Sequence, residues 1–519
     1  MALPEEVPLK EEKGKENGNI SKIPTKSHKT SFKEKVKNLK DNITIEPMLT
    51  CYVIPSMLGK LAIQTLYLDK ACRVNLKYGN EVCDALVARK GNLYLKEELA
   101  VQELVAGMEG WRNILLSAIP SFLILFLGAW SDRTGKRKAC VLIPIIGELL
   151  MCLSNMLNAY FFYELPVQVT MFFEAFLPAI TGGWVATYLG AFSYISDISS
   201  EETRTFRVGI ANLCLTAGGP IGSALSGILL HSIGYYGVFL ICALLNLFSI
   251  LYGLFYIKDP ERPKPEKIGK REGNPVCGFL KEFFDIQHVK DTLTVAFKKG
   301  PNHRRTKSIL ILVSIAFIYG PSYGEYTVRY LFTRYRFNWD ALLYSYYSTF
   351  YILLHALGAL ISISVFSRRL QWDDSILGII SVTSKLIGGL AMAFSTCSRD
   401  MYIAVVLETL NATSFTALRS ISSKMVASDE LGKMSSVFNL IEIVTAMVFG
   451  PIYSWVYMAT IDIDAGIFFY MSTVLTIPPI IFFVWFLLQS RKNKNNITSR
   501  QQEMLPCKVV TSEVITASV

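Results

Sequence analysis

Ionisable side chains lie inside several long apolar stretches of this sequence, where a charge is costly. On insertion scales the cost at membrane depth is at least ~2.5–3.5 kcal/mol, so each such residue is a candidate for function. Glu325 and Arg329 are four residues apart, so on a helix they share one face and can form an ion pair. Arg419 offers a fixed positive charge that suits an anion. These residue types predict the binding of a charged solute by Arg419, Glu325 and Arg329.

Proton exchange is a second chemistry that these stretches allow. A carboxylate buried away from water can take up a proton near neutral pH. Glu325 lies beside Gly320 and Gly324, where we expect a broken helix of the kind that lines transport paths. Glu325 is therefore the first candidate for proton coupling, with a structural ion pair to Arg329 as the alternative. The next candidates are His355, which can alternatively be a packed polar contact, and Glu148.

Other charged residues share this apolar setting. Those near the ends of a stretch can alternatively extend to the water interface, since long side chains place their charge there. The residues are Lys60, Glu174, Lys385 and Glu408, which are open to that alternative, and Glu442.

The apolar stretches themselves have the length of membrane spans. Of the 519 residues 51% are hydrophobic and only 18% are charged, and the mean hydropathy is +0.35. A run of about 20 apolar residues crosses a hydrocarbon core of ~30 Å, and in lipid the backbone must then be helical. We predict an all-α membrane protein with twelve spans, at about 48–68, 112–130, 139–161, 168–192, 206–230, 235–257, 308–332, 344–366, 375–397, 400–420, 434–457 and 466–489.

Basic residues are concentrated in alternate loops between the spans, and an excess of Lys and Arg is typical of cytosolic loops. The loop after the sixth span is long and basic, and it divides the spans into two sets of six, which is typical of a secondary transporter with two related halves. The predicted organisation is a cytosolic tail over 1–47, a six-helix half over 48–257, a basic cytosolic loop over 258–307, a second six-helix half over 308–489 and a cytosolic tail over 490–519.

The loop after the second span carries a charged motif. Residues 128–138 read Gly-Ala-Trp-Ser-Asp-Arg-Thr-Gly-Lys-Arg-Lys, in which a glycine makes the turn and basic residues face the anionic inner leaflet. This spacing resembles the 2–3 loop signature of the major facilitator superfamily. The resemblance implies a conformational latch between the halves, made by Asp132, Gly135, Lys136 and Arg137; an ordinary charged loop is the alternative.

Two further segments resemble solute carrier family 46, the family of the proton-coupled folate transporter, and its invertebrate members in particular. Residues 192–207 contain Asp-x6-Arg-Thr-x-Arg, and residues 418–433 contain Arg-x4-Lys. The resemblance implies that Arg419 lies in the substrate cavity. It also places Asn212 where the folate carrier has an acidic residue used in coupling. Asn212 is therefore a substrate-binding candidate that cannot carry a charge, so uptake without protons stays open.

The ten cysteines form neither a CxxC pair nor a metal-ligand spacing, and we expect no metal and no cofactor. Cys72 and Cys83 lie in the first outer loop of the predicted topology, where the compartment is oxidising and their spacing allows a disulfide. The family links this loop to the 7–8 loop instead, but Asn338 stands at that position. Cys397 is the alternative partner.

Several function classes are disfavoured by the sequence. The positive charge is confined to tails and loops, so we expect no nucleic acid as a partner. There is no Walker A pattern for ATP-driven transport and no Gly-x-Ser-x-Gly elbow, so we expect no enzyme. The prediction is a secondary active transporter of an organic, anionic solute, proton-coupled and folate-like. The alternatives are a facilitative carrier of another conjugated solute and a non-transporting receptor or scaffold on the same fold.

The expected partners are a small-molecule solute, protons and the lipid bilayer, with the chain as a monomer. Tetrahydrofolate-like molecules, other conjugated organic anions, and peptidoglycan- or nucleotide-like fragments all suit a cavity that contains an arginine. The tails lack dileucine and tyrosine sorting signals, which favours the plasma membrane over the lysosome, with both termini cytosolic.

Overall fold

The computed structural model describes residues 44–88, 93–199, 201–259, 304–425 and 431–504, together with residues 284, 294, 297 and 298. The predicted N-terminal tail, most of the predicted basic loop and the end of the C-terminal tail lie outside these ranges. Within them the regular secondary structure is helical. The helices are α1 (Glu46–Lys70), α2 (Asn80–Val87), α3 (Leu95–Thr134), α4 (Arg137–Tyr160), α5 (Val167–Ile180), α6 (Gly183–Ile198), α7 (Glu201–Tyr256), α8 (Arg304–Phe337), α9 (Ala341–Ile361), α10 (Asp374–Ala393), α11 (Ser398–Leu407), α12 (Thr413–Ser423), α13 (Leu431–Asp464), α14 (Ile467–Leu475) and α15 (Ile477–Met504).

Ten stretches of the described residues are long and apolar enough to cross a membrane. One of them, within α7, contains two predicted spans, which are separated at Gly234 by a non-helical backbone (φ 66°, ψ −174°). The tenth predicted span corresponds to two short helices, α11 and α12. Every predicted span therefore has a helical counterpart, and the arrangement is consistent with twelve.

Two details of the predicted helices are wrong. The second span was expected to start at residue 112, but α3 begins at Leu95, because its first turns carry polar residues that are buried against partners rather than exposed to lipid. The break expected in the seventh span is absent from α8, which is continuous. A methyl group on Gly320 or Gly324 would lie within 3 Å of the ring of Phe449 or Tyr453, so these glycines allow α13 to pack closely.

A helix break lies instead in the tenth span, between α11 and α12; the fourth and twelfth predicted spans are also divided, between α5 and α6 and between α14 and α15. In the tenth span the backbone of residues 408–412 leaves the helix, and hydroxyl groups of α10 take up the freed carbonyls. Ser384 Oγ donates to Leu407 O at 2.6 Å, and Ser381 Oγ donates to the carbonyls of Leu410 and Asn411 at 2.7 Å each. A discontinuous helix is tolerated at membrane depth only with such partners, and it commonly marks a binding site.

The two halves share one apolar core at one end of the molecule, which we call the disulfide end because it carries Cys72 and Cys83. That core combines side chains from α1, α3, α8 and α13, among others. At the opposite end the described core residues form two separate clusters, one inside each half. The helices are therefore closed on each other at the disulfide end and packed only within their own halves at the other.

Polar contacts join the halves at the disulfide end, among them a hydrogen bond from Arg334 Nη2 to the Leu86 carbonyl oxygen at 3.3 Å. The guanidinium of Arg334 in α8 bonds to the carboxylate of Glu98 in α3 at 2.7 and 3.2 Å, and both residues are buried. The Tyr457 hydroxyl donates to Gln102 Oε1 at 2.9 Å. The hydroxyls of Thr65 and Tyr330 lie 3.1 Å apart. These contacts cross the interface between the halves, so they exist only while this end is closed.

Candidate functional site

Four charged side chains meet in the interior of the second half; we call them the buried quartet. Lys385 Nζ on α10 lies 2.6 Å from Glu325 Oε2 on α8 and 2.9 Å from Glu408 Oε1 at the broken helix. Arg329 Nη2 lies 3.1 Å from the same oxygen of Glu325. All four are buried, and Glu325 and Glu408 have no exposed surface. With two acids and two bases, the quartet is neutral when every member is ionised.

Polar and aromatic neighbours complete the surroundings of the quartet. The Arg329 guanidinium lies 4.3 Å from the centre of the Tyr351 ring, whose hydroxyl donates to Glu408 Oε1 at 3.3 Å. Asn411 Nδ2 donates to the same oxygen at 3.1 Å. The His355 ring stacks on Tyr351 with centres 4.1 Å apart, in the manner of the packed polar contact. The quartet thus connects four elements, namely α8, α9, α10 and the break before α12.

Each carboxylate of the quartet keeps one oxygen without a hydrogen bond from the described residues. These atoms are Glu325 Oε1 and Glu408 Oε2, and both are buried. An ionised carboxylate accepts hydrogen bonds at both oxygens, whereas a protonated carboxyl group carries its proton on one of them. The arrangement therefore leaves an oxygen on each acid that can be protonated without displacing the lysine or the arginine from the other oxygen.

The sequence paired two members of the quartet, Glu325 and Arg329, and left the other two open. Lys385 and Glu408 were left open as side chains that reach the interface, but they are 3% and 0% exposed and pair with each other. Hydropathy alone misplaces them, because a hydrophobicity window does not register a helix break or a partner on another helix. A signal existed in the sequence, since a lysine and a glutamate in neighbouring spans can neutralise each other.

Arg419 lies apart from the buried quartet. Its Nη2 donates to Glu442 Oε1 and Asn439 Oδ1, each at 2.9 Å, and its guanidinium carbon lies 5.2 and 5.0 Å from the rings of Phe415 and Phe438. The side chain is 52% exposed, so its charge remains accessible although it is paired. An arginine held by a carboxylate and two aromatic faces can exchange that carboxylate for a solute anion.

Asn212, on α7 in the first half, is exposed, and its backbone carbonyl accepts a hydrogen bond from the Thr216 hydroxyl at 2.8 Å. The structure does not join this side chain to the quartet or to Arg419.

The first half contains its own buried ion cluster, which the sequence did not reveal. Arg112 on α3 makes a bidentate contact with Glu174 on α5, at 2.6 and 2.7 Å, and a third bond to Glu109 at 2.9 Å. Glu174 is buried, so for this residue too the interfacial alternative does not hold. Glu109 lies before the predicted start of the second span and Arg112 lies at that start, so neither was considered as a charge inside a span.

Glu148 and Lys60 differ from the other charges in the spans. Neither has an ion-pair partner in the part of the chain that the structure describes. Glu148 is half-buried in α4. The Lys60 ammonium lies 3.2 Å from the centre of the Tyr326 ring, which belongs to the other half of the molecule.

The charged loop between α3 and α4 is held within the first half. Gly135 has a left-handed backbone (φ 69°), which ends α3 in a turn that favours glycine. Arg137 Nε lies 2.8 Å from Asp197 Oδ2 on α6, and Arg137 Nη1 donates to Ser131 Oγ at 2.9 Å. Lys136 is exposed, and the side chain of Asp132 lies outside the described part of the structure. Arg137 therefore anchors the loop to α6, while Lys136 faces outward.

Cys72 and Cys83 are bonded as a disulfide, with Cα atoms 5.9 Å apart. Arg73, next to the bridge, binds the carboxylates of Asp69 and Asp84 and holds the start of α2 against α1. Cys397 is a free, exposed cysteine. Beside the disulfide a cavity of about 490 Å³ lies between the halves and is lined in part by Arg334. The Arg334 guanidinium forms an ion pair with the Glu98 carboxylate. This cavity lies at the closed end of the molecule.

Comparisons with known proteins agree with this architecture. The Major Facilitator Superfamily model matches residues 92–451. The lysosomal proton-coupled steroid conjugate and bile acid symporter of Gallus gallus is 24% identical over 86% of this chain and 94% of its own length. The probable peptidoglycan muropeptide transporter of Drosophila melanogaster is 23% identical over 83% of each chain. The proton-coupled folate transporter of Rattus norvegicus is 24% identical over 73% of this chain and 79% of its own length.

Solved structures support the fold at lower identity. The human organic anion transporter MFSD10 superposes with a TM-score of 0.56 at 12% identity, covering 85% of this chain and 98% of that one. A POT family transporter in complex with a thioalcohol-conjugated peptide gives 0.56 at 13% identity, with 86% and 96% covered. The predicted resemblance to solute carrier family 46 is confirmed by the relatives above. The chain belongs to the Major Facilitator Superfamily, and its similarity within that superfamily is to solute carrier family 46.

Proposed function

We propose that this protein is a secondary active transporter that carries an organic anion together with a proton. The observation that carries the proposal is the buried quartet, a neutral set of two acids and two bases that connects several helices of one half. Removing a partner from a buried ion pair leaves an uncompensated charge, which costs about 3–5 kcal/mol. The quartet therefore resists a change in its total charge unless a second charge arrives with it.

Protonation of Glu325 changes that total from zero to plus one. Lys385 can then keep Glu408, and Arg329 can keep the Tyr351 ring, so both cations retain a partner. The excess positive charge attracts an anion, and the anion restores neutrality in the membrane interior. On this mechanism the proton and the solute anion favour each other's binding, which is the thermodynamic requirement for symport.

The solute path runs between the two halves, and Arg419 is a binding residue on it. An acidic group of the solute replaces Glu442 at the guanidinium, while the half-buried ring of Phe415 packs against apolar parts of the solute. Bile acids and folate, named for two of the relatives, are organic acids, and this chemistry suits them. We expect Arg419→Ala to weaken the binding of anionic solutes at every pH and to affect a neutral analogue less.

The membrane orientation follows from the basic loops, which place both termini and residues 258–307 in the cytosol. The disulfide end then faces outward, and the structure corresponds to an inward-facing state. The absence of sorting signals in the tails favours the plasma membrane, although one relative is named as lysosomal. Epitope tags at residue 2 and near Arg271 should react with antibody only after the cells are permeabilised. Labelling of either tag in intact cells would show that the proposed orientation is wrong.

The function is tested by uptake into proteoliposomes that contain the purified full chain. The solutes are a steroid sulfate, a bile acid, a folate and a muropeptide, each measured with and without an inward proton gradient. We expect uptake of at least one acidic solute above that of empty vesicles, with stimulation by the gradient. A protein that binds these solutes but moves none would instead be a receptor or scaffold on this fold.

A facilitative carrier is the second candidate, and Asn212 is the observation that favours it. This residue stands where the folate carrier has an acid used in coupling, and an amide cannot exchange a proton. Uptake that is saturable but equal with and without the proton gradient would select this function over symport.

A further inference from the structure

Lys60 lies between the halves, where its ammonium faces the Tyr326 ring of the second half. In the described part of the structure Arg112, Arg329, Lys385, Arg334 and Arg419 each have a carboxylate partner. The Lys60 ammonium has neither a carboxylate nor a hydrogen-bond acceptor there, and instead rests on the face of Tyr326. A cation on an aromatic ring is stabilised by about 0.5–2 kcal/mol, less than a charge at membrane depth costs. Its charge is therefore left without a counter-charge.

The space beside Lys60 is small and shared by both halves, and its lining contains polar side chains as well as Met57 and Leu61. It has a volume of about 30 Å³, room for about two water molecules. Polar side chains line it on both sides of the interface. They belong to Gln64, Ser223 and Ser226 of the first half and to Ser345, Ser348 and Tyr326 of the second. The hydroxyls of Ser226, Ser345 and Tyr326 already donate to Ser223 O, Leu342 O and Met57 Sδ.

The position of this space along α8 can be compared with that of Arg419. Tyr326 follows Glu325 in α8, so the space lies at the level of the buried quartet. Tyr319, which stacks near Phe415 beside Arg419, lies seven residues earlier in the same helix. At 1.5 Å per residue, the two levels are roughly 10 Å apart. A solute that reaches from Arg419 to Lys60 would span about this distance.

We infer that Lys60 and the surrounding hydroxyl and amide groups form a subsite for an anionic group of the solute, a carboxylate or a sulfate. A cation with no counter-charge among the described residues, together with the side chains of Gln64, Ser223 and Ser348, is the chemistry that recognises such a group. The aromatic face of Tyr326 holds the ammonium in place until the anion replaces it. Because donors come from both halves, the bound anion also bridges them. This inference rests on the proposed transport function and specifies which end of the solute is recognised.

The test compares two solutes with the same steroid skeleton, one with an anionic group and one without. Purified full-length protein is titrated with estrone sulfate and with estrone methyl ether, in which an uncharged methyl group replaces the SO3⁻ group, and binding is followed by thermal stabilisation of the protein. Lys60→Gln should weaken binding of the sulfate at least about tenfold and leave binding of the ether unchanged. The Lys60→Arg variant, which keeps the positive charge, should retain the wild-type preference for the sulfate over the ether. The ratio of the two affinities within each variant does not depend on how much of that variant is folded.

Acetate and inorganic sulfate serve as probes that require no particular solute skeleton. In the wild type they should raise the melting temperature above that in chloride, and Lys60→Gln should reduce this effect. If estrone sulfate fails to bind but the small anions depend on Lys60, the subsite stands and the proposed solute class fails. If the wild type and Lys60→Gln show the same sulfate-to-ether ratio and the same response to small anions, the inference is overturned, even where transport is observed.

Discussion

Replacement of Glu325 by glutamine is the sharpest test of the coupling mechanism. Glutamine has nearly the same shape as glutamic acid and represents the protonated form, so Lys385 keeps Glu408 at 2.9 Å and Arg329 keeps the Tyr351 ring. The quartet then carries a permanent charge of plus one. We expect the variant to bind anionic solute and to exchange it across the membrane, but to lose its response to pH.

The expected size of the pH response of uptake follows if one proton is carried with each solute molecule. In the wild type the protonated form binds the anion, so uptake rises as the outer pH falls. One pH unit changes the free energy of a single proton by 1.36 kcal/mol, so two units contribute at most about 2.7 kcal/mol, or about 100-fold in uptake. The wild-type ratio of uptake at pH 5.5 to that at pH 7.5 should be clearly above 1 and at most about 100, and that of Glu325→Gln should be close to 1.

Two control variants separate this mechanism from general damage. Glu442→Gln removes a carboxylate from Arg419, outside the quartet, and should retain the pH response. Glu325→Gln combined with Lys385→Met returns the quartet to neutrality, so the double variant should fold but attract the anion poorly at every pH. The assay is initial-rate uptake into proteoliposomes at fixed inner pH. A full pH response in Glu325→Gln would refute the mechanism and move coupling to His355 or Glu148.

The closed disulfide end yields three further expectations. Glu98→Gln leaves Arg334 buried without its carboxylate, which costs about 3–5 kcal/mol in the closed state, so the equilibrium should shift at least about 100-fold toward opening of this end. Reaction of a cysteine introduced in the interface with an impermeant reagent reports the shift, and Arg334→Gln in the same chain should reverse much of it. Gly227→Val should impede closure, since the first added carbon would lie 2.8 Å from the Ala341 carbonyl oxygen; transport should fall while solute binding from the open end persists. Cys83→Ser opens a loop with a sequence separation of 11 and should lower the free energy of unfolding by about 3 kcal/mol, seen as a lower melting temperature that added reductant does not lower further.

The helix break in the tenth span illustrates what tertiary contacts add to sequence patterning. Periodicity predicted one continuous span there, because the apolar residues continue through the break. The break is stable only because Ser381 and Ser384 of α10 supply hydroxyls to the freed carbonyls. Conversely, the glycines of the seventh span suggested a break that does not exist, since they serve the packing of α13 instead. A glycine permits either outcome, and only the neighbouring helix decides between them.

The sequence by itself determined the class of the protein. The features that show the class are local. They are apolar runs of membrane length, basic loops and the charged motif at residues 128–138. Each can be read from neighbouring residues, because lipid requires an apolar helix and basic residues remain on the cytosolic side. The i, i+4 pair of Glu325 and Arg329 is equally local, and it lies at 3.1 Å in the structure. Tertiary structure decided which charges neutralise one another across helices. Lys385, far from Glu325 in the chain, joins it at 2.6 Å, while Lys60 contacts an aromatic ring and, among the residues that the structure describes, no acid. The cost of a buried charge depends on what stands within a few ångströms, and spacing along one helix does not determine what another helix brings there.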